Sequence, residues 1–354
     1  MASDVFFART GDNPDVKTQV EATRKICNAL DISSSLEKKE YVAIKLHVGD
    51  KYNTTHVRPE IIKVIVEIAK EKEALPFMTE TSTLYRGERE NAVSHIMHAI
   101  SHGFTVQNVG APFIMADGLV GDAETEVMIE GELFNSVQVA REIRMIDCLV
   151  VVSHMTGHIA AGFGATIKNL GMGLSSRKGK LRQHSSITSA VIEEKCAFCK
   201  KCMKWCPQDA IYEKEGKARI DTLKCIGCGE CFLVCRFDAI SFNWGTELNC
   251  MQKAMAEHAL GVVKDKKAFY LNVLIGMTTD CDCFAKNQEK VIPDVGIIGS
   301  LDPVAVDQAG IDLTIQADQK NLNQLSYPHI NGAIQLEHAE KIKLGTREYR
   351  LIEV

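Results

Sequence analysis

The chain has 354 residues, of which 45% are hydrophobic and 25% charged, and its formal net charge is −5. These proportions describe an ordinary globular protein of two or three domains. The weak negative charge offers no electrostatic footprint for nucleic acid or membrane surfaces. No apolar run reaches the length of a membrane span. The first fifty residues lack a basic stretch followed by an apolar one, so no signal peptide is read there.

Residues 42–48 form a short apolar run that predicts a buried strand. Pro59 opens a helix whose Ile61, Val64, Ile65 and Ile68 share one face. Residues 75–79 follow as a strand, 89–102 as a helix, 104–109 as a strand, 137–144 as a helix and 148–152 as a β-branched strand. Strands alternating with helices predict parallel βαβ units. Residues 174–187 break this rhythm. They are rich in Ser, Arg, Lys and Gly and read as a linker; the basic run Arg177-Lys178-Gly179-Lys180 with Arg182 could bind an anion, but the reading favoured is a solvated linker.

The next stretch carries two cysteine quartets. Cys196, Cys199, Cys202 and Cys206 precede Pro207, and Cys225, Cys228, Cys231 and Cys235 repeat their spacing. Asp209-Ala210-Ile211 recurs as Asp238-Ala239-Ile240 at the same offset from the last cysteine of each quartet. C-x2-C-x2-C-x3-C is the spacing of ferredoxins with two [4Fe–4S] clusters, in which the fourth cysteine of each run serves the other cluster. The expected sets are Cys196, Cys199, Cys202 and Cys235 for one cluster, and Cys225, Cys228, Cys231 and Cys206 for the other. Zinc sites favour C-x2-C pairs over quartets. Thirteen cysteines without an export signal point to a reducing cytoplasm, and oxygen-sensitive clusters point to an anaerobe.

Residues 243–245 close this module. Residues 247–263 then read as a helix, 268–275 as a strand and 295–298 as an apolar run. Asp302-Pro303 caps a helix to about Ala317, and residues 336–342 and 349–352 read as a last helix and strand. The expected fold class is α/β, a mostly parallel sheet with flanking helices, interrupted by an inserted α+β ferredoxin-like module. Its parts are residues 1–187, the insertion 188–245, and residues 246–354.

Two stretches outside the quartets carry chemistry. Ser153-His154-Met155-Thr156-Gly157-His158 begins where a strand ends, and Gly162, Gly164, Lys168 and Asn169 follow. Ligands of open α/β sheets bind beyond the carboxyl ends of strands. His154 and His158 share a face if the segment is helical. In Asp280-Cys281-Asp282-Cys283-Phe284, two thiols alternate with two carboxylates. A C-x-C pair does not close an easy disulfide, so Asp280, Cys281, Asp282 and Cys283 are read as a second metal or redox site. Neighbouring carboxylates raise a thiol pKa unless a cation intervenes. Lys45, His47, His56, Glu80 and Thr81 lie near strand ends and are read first as structural.

The segments Lys45-Leu46-His47, Lys168-Asn169-Leu170-Gly171, Asp280-Cys281-Asp282-Cys283-Phe284, Asp294-Val295-Gly296-Ile297 and Asp302-Pro303-Val304-Ala305 resemble domain of unknown function 362 along nearly the whole chain. Many of its members carry an inserted ferredoxin-type module. His158, Ala161-Gly162-Phe163-Gly164 and Lys168 are more distantly similar to a stretch of nickel-pincer lactate racemases. There, histidine and lysine serve cofactor and catalysis, which implies an additional metal or organic cofactor.

The expected function is single-electron transfer from two [4Fe–4S] clusters to a site built from His154, His158, Lys168, Cys281 and Cys283, acting on a small-molecule substrate. Lys168 or a histidine would supply protons. No Gly-x-Gly-x-x-Gly follows a strand to hold a flavin. Two alternatives stand beside it: a non-enzymatic relay or reductive activator for a redox partner protein, and a metal or cofactor maturation protein.

Overall fold

The computed structural model describes residues 2–184, 189–206, 208–225, 230–242 and 248–354. Pro207, Cys228 and the closing stretch 243–245 lie outside the described residues. Eight segments build one sheet: β1 (Ser3–Arg9), β2 (Tyr41–Lys45), β3 (Leu75–Glu80), β4 (Phe113–Met115), β5 (Cys148–His154), β6 (Lys267–Leu274), β7 (Gly296–Ser300) and β8 (Tyr349–Glu353). Their order is β8-β1-β7-β6-β5-β2-β3-β4. β7 runs antiparallel to β1 and β6, and the other neighbouring pairs are parallel. The α/β class with a mostly parallel sheet is as expected.

The central strand shows why the runs are continuous rather than alternating. Every residue of β5 is buried. Cys148, Val150 and Val152 enter one apolar core, and Leu149 and Val151 enter the other. A strand covered on both faces needs apolar side chains at each position. Helices α1 (Val16–Ala29) and α2 (Pro59–Glu71) supply the first cover with Ile26, Ile61 and Ile65. The opposite core includes residues of the short α3 (Thr166–Gly171), α5 (Leu248–Val263) and α6 (Pro303–Asp318). α3 approaches α5 so closely that a Cβ on Gly171 would lie 2.0 Å from the Met255 carbonyl oxygen.

Strands on both sides of residues 189–242 in the chain thus join one sheet. Within that stretch, Ser189–Val191 pairs with Ile240–Phe242 and Ile211–Lys214 with Lys217–Ile220, both antiparallel. The Asp-Ala-Ile repeat has a local cause. Asp209 and Asp238 take left-handed φ of 47° and 51°. That turn brings the Ala210 and Ala239 N–H groups to 3.2 and 3.3 Å from the sulfurs of Cys206 and Cys235. Each isoleucine then starts a strand and is buried in the module's small core.

Four expectations need correction. Within 104–109, Val106–Val109 is a helical turn capped by Thr105 and closed by Gly110 at φ 91°; the strand starts later, at Phe113. Within 137–144, Ser136–Ala140 is a strand paired with Glu124–Met128, and only Arg141–Arg144 is helical. The supposed linker contains a helix, α4 (Arg177–His184). The pair His154 and His158 does not share a helix: His154 ends β5, and Thr156–His158 is a strand of a hairpin with Gly162–Gly164. Among the described residues, no helix is long and apolar enough to cross a membrane.

Candidate redox site

Lys45, Glu80 and His154 end β2, β3 and β5, which are neighbours in the sheet. Their carboxyl ends open into a cavity of about 320 Å³. The hairpin after β5, helices α3 and α4, and the loop bearing Cys281, Asp282 and Cys283 complete the wall. His154, His158, Lys168, Cys281 and Cys283 therefore meet in one place.

The C-x-C loop corrects the expectation about disulfides. Cys281 and Cys283 are joined, with Cα atoms 5.3 Å apart, which lies within the range a disulfide spans. Their aspartate neighbours diverge. Asp280 accepts from the Tyr327 hydroxyl and pairs with Lys286 at 2.6 Å. Asp282 turns inward to His154 at 2.8 Å, Thr55 at 3.1 Å and Asn53 at 3.2 Å. The four side chains thus do not converge on a metal. Among the described residues, a closer grouping is His158 with both sulfurs, within 4.8 Å of one another.

The hydrogen bonds of His158 decide what it can do there. Its Nδ1 accepts from the N–H groups of Ala160 at 3.2 Å and Ala161 at 3.0 Å. Burial first, and then the Lys168 charge, hold its pKa far below the usual imidazole value. The neutral ring therefore carries its proton on Nε2. Neither nitrogen offers a lone pair to a metal, because one is committed to backbone donors and the other is protonated.

Lys168 Nζ lies 3.4 Å from Cys281 Sγ. Burial, reinforced by Arg89, pushes its pKa down to about 8. An ammonium at that point can release its proton near neutral pH. α3 is held in register by buried Asp307, which accepts from the N–H groups of Thr166 and Ile167, each at 2.9 Å. A buried carboxylate at a helix N-terminus fixes the direction in which Lys168 projects.

Several residues read first as structural also line the cavity. Lys45 Nζ reaches Asn169 at 2.6 Å and Glu80 at 3.4 Å. Glu80 is deeply buried, which alone would raise its pKa, but Lys45, His47 and His95 hold it well below the usual carboxylate value. Arg89 binds Asp50 through two nitrogens, at 3.2 and 3.1 Å, and His47 at 3.0 Å. From α4, Lys180 donates to Thr81 Oγ1, to Ser82 O at 2.7 Å and to Ser175 O at 3.0 Å. His184, also on α4, lines the cavity. The basic composition of α4 hid this, because a buried lysine and a solvated one look alike without their partners. His56 stands outside this lining and faces His102 at 3.0 Å.

The cysteine-rich module abuts this wall. Leu84 of the cavity packs with Leu181 and with Phe232, the residue after Cys231. Arg86 pairs with Asp238 at 2.5 Å across the same junction. Inside the module, Cys196, Cys199, Cys202 and Cys235 line one small cavity. An all-thiol donor set suits soft metals and iron–sulfur clusters rather than hard cations.

An α/β protein with a cysteine-rich module docked at the carboxyl ends of its strands is the class these features define. Residues 42–312 match the family described as Domain of unknown function (DUF362), and the chain belongs to that family. Shorter similarities are to curated redox proteins. One is a subunit of the ion-translocating oxidoreductase complex of Methanosarcina acetivorans, 49% identical over 15% of this chain and 20% of that protein. Another is hydrogenase-4 component A of Escherichia coli, 32% identical over 24% and 40%. A third is a subunit of the selenate reductase of Mesobacillus selenatarsenatis, 38% identical over 17% and 22%. The chain thus spans between about a fifth and two fifths of these relatives' length. Among solved structures, it is similar to the lactate racemase apoprotein of Thermoanaerobacterium thermosaccharolyticum, with TM-score 0.45, 13% identity, and coverage of 87% of this chain and 56% of that one. A Thermotoga maritima protein gives TM-score 0.47 and 11% identity, with coverage of 87% and 60%.

Proposed function

We propose that this is an iron–sulfur redox protein in which two [4Fe–4S] clusters serve the cavity at the sheet's carboxyl end. Cys196, Cys199, Cys202 and Cys235 would hold one cluster, and Cys225, Cys228, Cys231 and Cys206 the other. When bound, the clusters would supply single electrons. The contact of Phe232 with Leu84 and Leu181 carries this reading, because it joins the module to the cavity wall without intervening solvent. The similarity of short segments to parts of redox complexes supports it.

The substrate is proposed to be a small anion. Lys45, Lys168 and Lys180 line the cavity with Glu80 and Asp282, Arg89 being matched by Asp50, and the three lysine amines offer donors to negative charge. His154 and His158 shape the wall, and Lys168 is the proton donor. An additional organic cofactor would lie in this same cavity.

A second reading is a relay that hands electrons to a partner protein. Two of the similar redox proteins are named as subunits and the third as a component, which favours it. Anaerobic purification followed by iron, sulfide and small-molecule analysis tests the first claim, with about eight irons per chain expected. The Cys281→Ser/Cys283→Ser double variant should keep the cluster spectrum and lose substrate reduction. Loss of the clusters themselves in that variant would contradict the assignment, and a variant that still supports its partner at full rate would favour the relay.

A further inference from the structure

We infer that Cys281 and Cys283 form a dithiol–disulfide centre that collects two electrons, delivered singly from the cysteine-rich module, and holds them at the cavity. This deepens the electron-transfer reading above and rests on it. A two-electron reduction of an organic substrate needs a place where single electrons are paired. Among the described residues of the cavity wall, the bond between these two sulfurs is a chemical group suited to that.

The surroundings fit reversible thiol chemistry better than metal binding. His158 offers no free lone pair, as its two backbone donors show. Both flanking aspartates are engaged, Asp280 with Tyr327 and Lys286, and Asp282 with His154. That removes the like-charge repulsion that would otherwise disfavour a thiolate. The Lys168 ammonium at 3.4 Å and the Cys283 N–H at 3.3 Å both point at Cys281 Sγ. A sulfur with an ammonium and an N–H donor beside it is stabilised as a thiolate. Cys281 is therefore the sulfur that carries charge when the bond opens.

The balance is simple. The S–S bond accepts two electrons and breaks. Cys281 sulfur leaves as a thiolate beside the Lys168 ammonium and then takes its proton, and Cys283 sulfur takes one hydronium-derived proton from solvent. Lys168 then regains a proton from solvent. The reductant is a low-potential one-electron donor acting on the module, twice per cycle. The reverse step returns two electrons and two protons to a substrate in the cavity and restores the disulfide.

The test uses the iron-loaded full chain, anaerobically, with reduced methyl viologen limited to about two electron equivalents per chain. Visible absorbance follows the clusters, and acid quench, alkylation and peptide mass spectrometry follow Cys281 and Cys283. The expected result is rapid bleaching, then recovery of absorbance at the rate at which both thiols become alkylated. The double serine variant should bleach and stay bleached. Lys168→Gln should slow the appearance of thiols by about tenfold or more with bleaching unchanged, and Lys168→Arg, which keeps the charge but releases no proton near neutral pH, should stay slow. Persistent bleaching with the disulfide intact in the native chain would overturn the inference and leave the clusters in place. Absence of iron and sulfide would instead overturn the reading on which it rests.

Discussion

Asp282 meets His154 at 2.8 Å through Nδ1, while the other ring nitrogen of His154 lies 2.9 Å from the Ile275 carbonyl. Both nitrogens thus face acceptors, so both carry protons, and the ring is a cation. Burial opposes that charge, but Asp282 outweighs it and raises the histidine's pKa. The ion pair ties the C-x-C loop to the end of β5.

Replacing Asp282 with Asn leaves the imidazole without its anion. The expected cost is about 3 kcal/mol or somewhat less, because the ring can shed its proton. Denaturant unfolding of the anaerobic protein, followed by far-UV circular dichroism, measures it. A change below about 0.5 kcal/mol would mean the pair contributes little.

The same pair sets a pH dependence. His154 has a raised folded pKa, so its contribution is complete below its unfolded value of about 6.5 and is lost as pH rises through the folded one. Asp282 has a lowered folded pKa. Burial opposes this, but His154 prevails. Its contribution is complete above about 3.9 and is lost as pH falls below that. The pair stabilises most between about pH 4 and 6.5. The stability gap between native protein and His154→Gln should therefore shrink as pH rises above that window. A gap that widens with pH would show the ring to be neutral.

Lys180 separates two views of the basic segment. As part of a solvated linker, its replacement by Met would cost nothing. As a buried donor to Thr81, Ser82 and Ser175, its loss should cost about 1–3 kcal/mol through unsatisfied acceptors. Thermal unfolding of Lys180→Met against a Lys178→Met control distinguishes them.

Gly157 has a tight neighbour. A Cβ there would sit 2.0 Å from the Thr279 carbonyl oxygen, in the loop that leads to Cys281. Gly157→Ala should destabilise by about 1–3 kcal/mol through overpacking. It should also slow opening of the Cys281–Cys283 bond, with the cluster spectrum unchanged. An unchanged melting temperature would mean that this loop yields freely.

Much of the sheet was legible because strands buried on both faces need unbroken apolar runs. The runs at 42–48, 148–152 and 268–275 are β2, β5 and β6. β1 passed unread, although Val5 and Phe7 are fully buried, because its alternation is short. Residues 137–144 read as one helix, although Val137 and Val139 alternate at strand spacing and only Arg141–Arg144 is helical. Among site residues, His154, His158, Lys168, Cys281 and Cys283 were visible as unusual types near strand ends. Arg89 and His184 were not singled out, and Lys180 was read within a solvated linker, because charged residues gain meaning only from burial and partners.

The sequence by itself determined the cysteine spacing, the α/β alternation and the Asp-Ala-Ile repeat. These are properties of neighbours along the chain, where a turn or a run needs no distant partner. Only the tertiary structure decided that Asp282 raises the pKa of His154 while burial lowers that of His158, and that Asp282 faces His154. It also decided that Lys168 lies against Cys281. Protonation and ligation depend on burial and on atoms a few ångströms away, and those atoms come from segments more than a hundred residues apart.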